Sequence, residues 1–201
     1  MSSVSLLDDV VPDKSSRVRD RLCILFYRQL HRGFEPRRLA VKLLENWRTT
    51  MSNIIEENLF RFLVDLEVQK ATRLQYPVSV VCMAPDLGPG EVDPFLTKHV
   101  AETALRRLRA TDVVTTLPQS SIGLLLIDAE SWALPRIHQR VKEEIEAHPL
   151  TVGGRERHVT WSAGGGSYPQ TAASGRNLLH QAIDLMVRAR GQGGDRLFLP
   201  A

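Results

Sequence analysis

The sequence predicts an α/β fold of the α+β kind, with a mixed central sheet flanked by helices and a small helical region before it. Three observations predict this. The run VSVVCMA (78–84) is continuously apolar and rich in β-branched residues, which is typical of a strand covered on both faces. Two further apolar runs, 112–117 and 122–127, are separated only by polar residues 118–121 and indicate a hairpin. Segments of helical periodicity alternate with these runs, as in helices packed on a sheet.

The length and composition fit a soluble globular protein. The chain has 201 residues, of which 43% are hydrophobic and 24% are charged. A chain of this size buries enough surface to fold without disulfides or a structural metal. No apolar run approaches the roughly 18 residues of a membrane span. The start, MSSVSLLDDVVPDK, is acidic where a secretory signal would be basic. We therefore expect a cytoplasmic protein that does not associate with membranes.

The first quarter of the chain precedes the expected sheet. Residues 1–14 contain proline among serines and aspartates and are expected to form a flexible tail. Ser15 or Ser16 can cap a helix to about residue 30, and Pro36 suits the start of a second helix to about residue 52. We expect an N-terminal helical region over 15–52 and one domain over 53–201.

The domain's elements follow from changes in periodicity. A helix is expected over 53–74, where leucine and phenylalanine recur at helical spacing, and Pro77 marks the change to the strand. The Gly- and Pro-rich stretch 86–94 indicates a loop, followed by a helix to about residue 109 and then the hairpin. After the hairpin, the pattern predicts a helix, a strand, a helix and a short strand at about 132–147, 158–168, 177–190 and 196–200.

Cysteine, histidine and glycine patterns indicate no metal site and no P-loop. Cys23 and Cys82 lie in apolar runs and are expected to be small buried side chains. The six histidines show no zinc spacing. The glycine runs at 164–166 and 191–194 lack the Lys-Ser/Thr of a P-loop and the position of a dinucleotide fingerprint, so we expect turns and bends there.

The charge distribution does not favour nucleic-acid binding. The net charge is +3, and the first 50 residues alone carry +4. An excess of this kind can mark a nucleic-acid surface. Aspartate and glutamate are interspersed among these arginines, however, so a solvated helix face is the better interpretation.

Four segments together resemble the GGDEF domain of diguanylate cyclases. Arg109 and Asp112 supply an Arg-x-x-Asp that lies five residues before the hairpin tip, as in that family. The stretch VTWSAGGGSYP (159–169) is similar to V-T-x-S-x-G-x-x-x-x-P, and LLHQAIDLMVRARGQGGDR (178–196) to the family's last helix. The segment 60–81 is similar to its first helix and strand. The resemblance covers about 54–199 and implies a nucleotide-cyclase-like mixed sheet.

The resemblance also implies where catalysis would occur, and the residues there are changed. Diguanylate cyclases join two GTP molecules with the help of Mg²⁺, held by an Asp-x-Asp after the first strand and by an acidic residue at the hairpin tip. Here Ala84 replaces the first aspartate and only Asp86 is kept. The tip reads Pro118-Gln119-Ser120-Ser121 in place of Gly-Gly-(Asp/Glu)-Glu, and Arg190 stands at the phosphate-binding lysine. We therefore expect a degenerate domain with no catalytic residues, no metal and no cofactor.

The Arg-x-x-Asp is an inhibitory cyclic di-GMP site in the family. The resemblance implies that Arg109 contacts phosphate and the guanine Hoogsteen edge, and that Asp112 accepts from the guanine N–H groups. Arg140 is the candidate for the family's second arginine, and Arg106 or Arg107 could assist. The simpler alternative is an ion pair at a helix end, since Arg-x-x-Asp is common by chance.

Two functions remain open from the sequence. The first is a cyclic di-GMP receptor that signals through Arg109 and Asp112. The second is a scaffold that binds no nucleotide and docks a protein partner through the N-terminal helices or the domain surface. A protein partner or a homodimer is expected, because the resemblance implies that helices preceding the domain pair, as they often do in this family.

Overall fold

A computed structural model of the chain describes residues 54–87, 94–148, 150–152 and 155–200. They belong to the second of two units into which the chain divides, Ser52–Ala201. The expected tail over 1–14, the helical region over 15–52 and Cys23 lie outside the described residues.

The described residues form four α-helices and eight strands. The helices are α1 (Glu57–Leu74), α2 (Pro94–Leu105), α3 (Leu134–Glu146) and α4 (Gly175–Gly191), with a 3₁₀ turn at Ser131–Ala133. The strands are β1 (Ile54–Ile55), β2 (Val78–Pro85), β3 (Val113–Leu117), β4 (Ser121–Ile127), β5 (Leu150–Val152), β6 (Arg155–Arg157), β7 (Trp161–Tyr168) and β8 (Leu197–Phe198).

A mixed six-stranded sheet forms the centre of the domain, as the sequence predicts. Its order is β1-β3-β4-β2-β7-β8. The four inner strands are antiparallel, and the short outer strands β1 and β8 each lie parallel to their neighbour. β2 lies in the middle, where both its edges are paired and all eight of its residues are buried. Burial on both faces explains why this strand is apolar except for Ser79, whose hydroxyl donates to the backbone carbonyl of Ala129 at 2.6 Å.

Two apolar layers cover the sheet, one on each face. Because side chains alternate along a strand, β2 contributes to both layers. On one face Val81 and Met83 pack with residues of α2 and α3, including Leu134 and Val141. On the other face Val80, Cys82 and Ala84 pack with residues of α1 and α4. The fold is therefore a three-layer α/β/α sandwich, and the predicted fold class is confirmed.

The structure differs from the sequence prediction mainly at element ends. The helix expected from residue 53 begins at Glu57, because Ile54 and Ile55 pair with β3 as a two-residue strand. The helix expected to reach residue 109 ends at Leu105, and a turn follows it. The small hairpin of β5 and β6 was not predicted, since three-residue strands are too short to show periodicity.

A buried histidine in α3 predicts a stability that depends on pH. Burial, helped by the positive charge of Lys142 and opposed by Asp195, lowers the pKa of His138 from its usual 6.5 to about 4. Between about pH 6.5 and pH 4, His138 therefore binds a proton in the unfolded chain but not in the folded chain. Stability contributed by His138 is complete above about pH 6.5 and falls by roughly 3 kcal/mol as the pH drops to about 4.

The measurement is urea unfolding of the wild type and of His138→Leu between pH 7.5 and 4. The difference between the two proteins isolates His138 from the carboxylates, which titrate in both. We expect the variant to gain relative stability as the pH falls. A constant difference across this range would show that His138 is not held neutral in the folded state.

No helix in the described part of the chain combines the length and the apolar character needed to cross a bilayer.

Candidate functional site

Three segments meet where the inner strands of the central sheet end. β2 runs antiparallel to both β4 and β7, with Met83 opposite Ile122 and Pro85 opposite Trp161. The end of β2 therefore lies beside the β3–β4 turn and the start of β7. We call this place the hairpin edge and define it by Ala84, Asp86 and residues 118–121. It is the edge at which the resemblance implies a catalytic centre.

The tip of the β3–β4 hairpin is a tight turn closed by its own polar groups. Leu117 pairs with Ser121, so three residues form the tip and not the four expected. Gln119 and Ser120 have φ of 59° and 58°, a left-handed backbone that favours glycine. The backbone N–H and hydroxyl of Ser121 donate to the carbonyl of Pro118 over 3.3 and 2.6 Å. Neither serine is more than 3% exposed, so the tip offers no acidic or free hydroxyl ligand.

Asp86 is held by three hydrogen bonds from the protein. One carboxylate oxygen accepts from the Ser162 hydroxyl at 2.6 Å. The other accepts from the Thr160 hydroxyl at 2.8 Å and from the backbone N–H of Asp195 at 2.9 Å. Asp86 thus ties the end of β2 to the start of β7 and to the turn before β8. Its carboxylate is used to hold these three segments together.

Ala84 and Arg190 also make contacts that stabilise the fold. Ala84 is 3% exposed and belongs to the apolar layer beneath α1 and α4. Arg190, near the end of α4, donates to the backbone carbonyl of Leu87 at 2.7 Å. This bond fixes the chain just after Asp86. The guanidinium at the position implied for phosphate binding is therefore already bonded to the backbone.

The residues at the hairpin edge do not fit the Mg²⁺ that the resemblance implies. Mg²⁺ requires several oxygen ligands, normally including carboxylates, in octahedral geometry. Asp86 is the one carboxylate among the described residues that define the hairpin edge, and it already accepts three protein hydrogen bonds. Within the described ranges, no group of three or more His, Cys, Asp or Glu side chains is placed to hold a metal ion. No catalytic step through Mg²⁺ is derived for these residues.

The three bonds of Asp86 predict a structural effect of its removal. We expect Asp86→Ala to lower the free energy of unfolding by roughly 2–4 kcal/mol, because two hydroxyls and one N–H lose a charged acceptor. Urea unfolding monitored by circular dichroism measures it. Asp184→Ala, an exposed carboxylate on α4, is the control and should change stability by less than about 0.5 kcal/mol. An equally small effect of Asp86→Ala would refute this role.

A second candidate site lies between α2 and β3, and we call it the arginine site: Arg109, Asp112 and Arg140. One carboxylate oxygen of Asp112 accepts from the backbone N–H of Arg109 at 2.8 Å, and the other from the backbone N–H of Ile127 at 3.3 Å. The N–H of Asp112 in turn donates to the carbonyl of Arg109 at 3.0 Å. Residues 109–112 thus form a closed turn, and the side chain of Arg109 is exposed beside it.

The charge of Arg140 also influences the pKa of the same carboxylate. Burial raises the pKa of Asp112, and the two backbone hydrogen bonds and the charges of Arg109 and Arg140 partly offset that rise. Arg140 lies on α3 and its side chain is exposed. The charges of two arginines from separate elements therefore act on Asp112, and the assignment of all three residues to one ligand site stays a prediction.

Arg106 makes its contacts elsewhere. Its guanidinium lies 2.9 Å from Nε2 of His148 and 4.0 Å from the carboxylate of Glu144. Arg107 donates to the same carboxylate at 2.5 Å. These contacts join the turn after α2 to the end of α3, and the sequence analysis did not predict them. Glu144 could have indicated them, because it is a charged residue next to Ile145 on the apolar face of the predicted helix.

Comparison with solved structures identifies the fold. The GGDEF domain of YfiN from Pseudomonas aeruginosa matches with a TM-score of 0.65 and 19% identity over 73% of this chain and 96% of that one. The GGDEF domain of DgcB from Caulobacter crescentus, in complex with c-di-GMP, matches with a TM-score of 0.63 and 11% identity over 75% and 93%. Diguanylate cyclase SiaD from Pseudomonas aeruginosa, in complex with its activator SiaC, matches with a TM-score of 0.65 and 14% identity over 92% and 80%.

No protein-family model matches the sequence, and no curated protein is significantly similar to it. The likeness to the two isolated GGDEF domains covers about three quarters of this chain and more than nine tenths of each of those domains. The described domain therefore has the fold of GGDEF domains.

Proposed function

We propose that this protein is a cyclic di-GMP receptor built on a GGDEF fold that has lost its catalytic centre. The receptor site is the arginine site, and the hairpin edge is a structural remnant. Binding of cyclic di-GMP would be the event that starts the signal from this protein.

The observation that carries the proposal is the pair of exposed arginines around Asp112. Arg109 and Arg140 come from different elements, both side chains are exposed, and both charges lower the pKa of the same buried carboxylate. Guanidinium groups bind phosphate oxygens in bidentate fashion and bind O6 and N7 of guanine with the same geometry. A cyclic dinucleotide offers both kinds of acceptor. The c-di-GMP complex of the DgcB GGDEF domain supports this ligand class for the fold.

The contacts at the hairpin edge support the absence of catalysis. Transfer of a phosphoryl group by this kind of enzyme depends on positioned metal ions and charges. Ala84 lies in an apolar layer, the serines at the tip are buried, and Asp86 accepts three hydrogen bonds. These residues stabilise the fold through their contacts. The arginine site is therefore the better candidate for nucleotide binding.

Calorimetric titration of the full chain with cyclic di-GMP tests the receptor. We expect saturable binding with a dissociation constant in the micromolar range or below, and no comparable heat from GMP, which carries only one guanine. Absence of heat with a protein shown to be folded by circular dichroism would reject the receptor function.

One observation favours the second candidate, a scaffold that docks a protein. Trp132 is 75% exposed, and its indole N–H donates to the Glu130 carboxylate at 2.8 Å. Leu74, at the end of α1, is 70% exposed. Tryptophan is enriched among the residues that contribute most to binding at protein interfaces, so Trp132 is the candidate anchor for a partner. The partner would be a second copy of the chain or another protein, and SiaD in complex with SiaC is a precedent for the fold. The expected N-terminal docking helices lie outside the described residues.

A further inference from the structure

Trp132 is the most exposed of the large apolar side chains in the described ranges, at 75%. Its indole N–H donates to the carboxylate of Glu130 at 2.8 Å, so the polar edge of the ring is already bonded. The two side chains make no further hydrogen bond, ion pair or ring contact with a described residue. The indole ring and the negative charge of Glu130 are therefore open to a partner.

The backbone that carries these two side chains is held firmly in the fold. Ala129 is buried, and its carbonyl accepts from the hydroxyl of Ser79 at 2.6 Å. The backbone N–H of Ser131 donates to the side-chain carbonyl of Gln170 at 3.2 Å. Leu134, which begins α3, is fully buried. Because these contacts fix the turn before α3, little backbone freedom is lost when a partner binds there.

The charge around Trp132 favours a cation as the occupant. Glu130 and Asp128 are both exposed, and they precede the indole by two and four residues. The face of an indole attracts a cation, and a carboxylate attracts the same cation directly. An acidic partner would be repelled here, and an apolar partner would take the Glu130 carboxylate out of water without pairing it. Arg136, one turn further along the chain, is exposed and makes no ion pair or ring contact with these side chains.

Arginine suits these two side chains better than lysine does. Its guanidinium is planar, so it can stack on the indole while its N–H groups donate to a carboxylate. The Glu130 carboxylate lies at the edge of the ring, because one of its oxygens accepts the indole N–H. A guanidinium is also less strongly hydrated than an ammonium group, so it loses less on leaving water. Tryptophan and arginine are both enriched among the residues that dominate binding at interfaces.

We propose that Trp132 and Glu130 bind an arginine side chain of a partner protein. The guanidinium stacks on the indole and donates to the oxygen of Glu130 that does not accept the indole N–H. This inference rests on the second candidate function, the docking of a protein, and names the group that anchors the partner. It depends neither on the arginine site nor on cyclic di-GMP.

The test is a titration of the full chain with Nα-acetyl-arginine amide at constant ionic strength. The readout is the indole N–H signal of Trp132 in a nitrogen–proton correlation spectrum, identified as the signal that Trp132→Leu removes. We expect a saturable shift with a dissociation constant of about 30 mM or below, as one exposed stacking contact and one exposed ion pair allow. Nα-acetyl-citrulline amide has nearly the same shape without the charge, and it should bind about fivefold or more weakly.

Two variants separate recognition by these side chains from a general effect of arginine on the protein. Glu130→Gln keeps an acceptor for the indole N–H but removes the charge, so the preference for arginine over citrulline should fall to about twofold or less. Glu102→Gln removes the charge of a carboxylate on α2 and should keep the preference of the wild type. Equal binding of both ligands by the wild type, or a preference that Glu130→Gln leaves intact, would refute the inference.

Dilution of the wild type without ligand distinguishes a failure of this inference from a failure of docking. If the indole signal of Trp132 moves on dilution but not with arginine, a second copy of the chain covers the ring. Docking then stands, and the inference about arginine is wrong. If the signal responds to neither, the inference is wrong and Trp132 no longer supports docking. The titration with cyclic di-GMP tests the receptor function separately.

Discussion

Replacing Arg109 by alanine is expected to weaken cyclic di-GMP binding by roughly 100-fold or more. The substitution removes an exposed guanidinium and leaves its backbone, which bonds to Asp112, in place. The fold should therefore survive while the ligand loses its bidentate partner. Calorimetric titration measures the affinity, and urea unfolding should show a stability within about 0.5 kcal/mol of the wild type.

Arg176→Ala is the matched control for this substitution. Arg176 is also an exposed arginine, but it lies in the first turn of α4. Its removal changes the net charge by the same amount, so a nonspecific effect of charge on a phosphate ligand would appear in both variants. Equal affinities of the two variants for cyclic di-GMP would mean that the ligand does not bind at Arg109.

Replacing Gly164 by alanine is expected to give the largest loss of stability, about 3 kcal/mol or more. Gly164 lies in β7 where α4 crosses the sheet. A Cβ at this position would lie 2.2 Å from the backbone nitrogen of Met186 and 2.3 Å from the carbonyl oxygen of Ala182. Backbone atoms of a helix cannot move aside as a flexible side chain can, so the whole helix must shift from the sheet.

Gly191→Ala is the control for Gly164→Ala, with urea unfolding as the measurement. Gly191 ends α4, and a Cβ there meets nothing within 4 Å. We expect the control to change stability by less than about 1 kcal/mol, in the stabilising direction because alanine favours helix. If Gly164→Ala were as stable as the control, the close approach of α4 to β7 would be wrong.

The sequence predicted those parts of the fold whose periodicity extends over many residues. β2 was recognisable because a strand paired on both edges and covered on both faces needs apolar residues at nearly every position. α4 was recognisable from its apolar stripe, although its start at Gly175 lies two residues before the expected start. β1 and β6 were not recognisable, since two or three residues carry no period and their pairing is decided by distant segments.

The sequence predicted which residues belong to the two candidate sites, but not which groups they bond to. The spacing of Arg109 and Asp112 was visible in the sequence, but the backbone partners of Asp112 were not, because Ile127 is brought to it by the hairpin. The bonds of Asp86 depend in the same way on Thr160 and Asp195, which the sheet brings together from distant positions. The sequence therefore linked Asp86 to a metal site and Asp112 to ligand binding. The hydrogen bonds show instead how each aspartate holds separate segments together.

Turnover of GTP is the most direct test of the central claim that the hairpin edge holds no catalytic metal centre. The full chain is incubated with GTP and Mg²⁺ or Mn²⁺, and cyclic di-GMP and pyrophosphate are quantified by chromatography. We expect neither product above the level of a heat-denatured sample, because Ala84 and the buried serines supply no carboxylate and Asp86 is bonded within the protein. Formation of both products in proportion to the amount of folded protein would contradict the account.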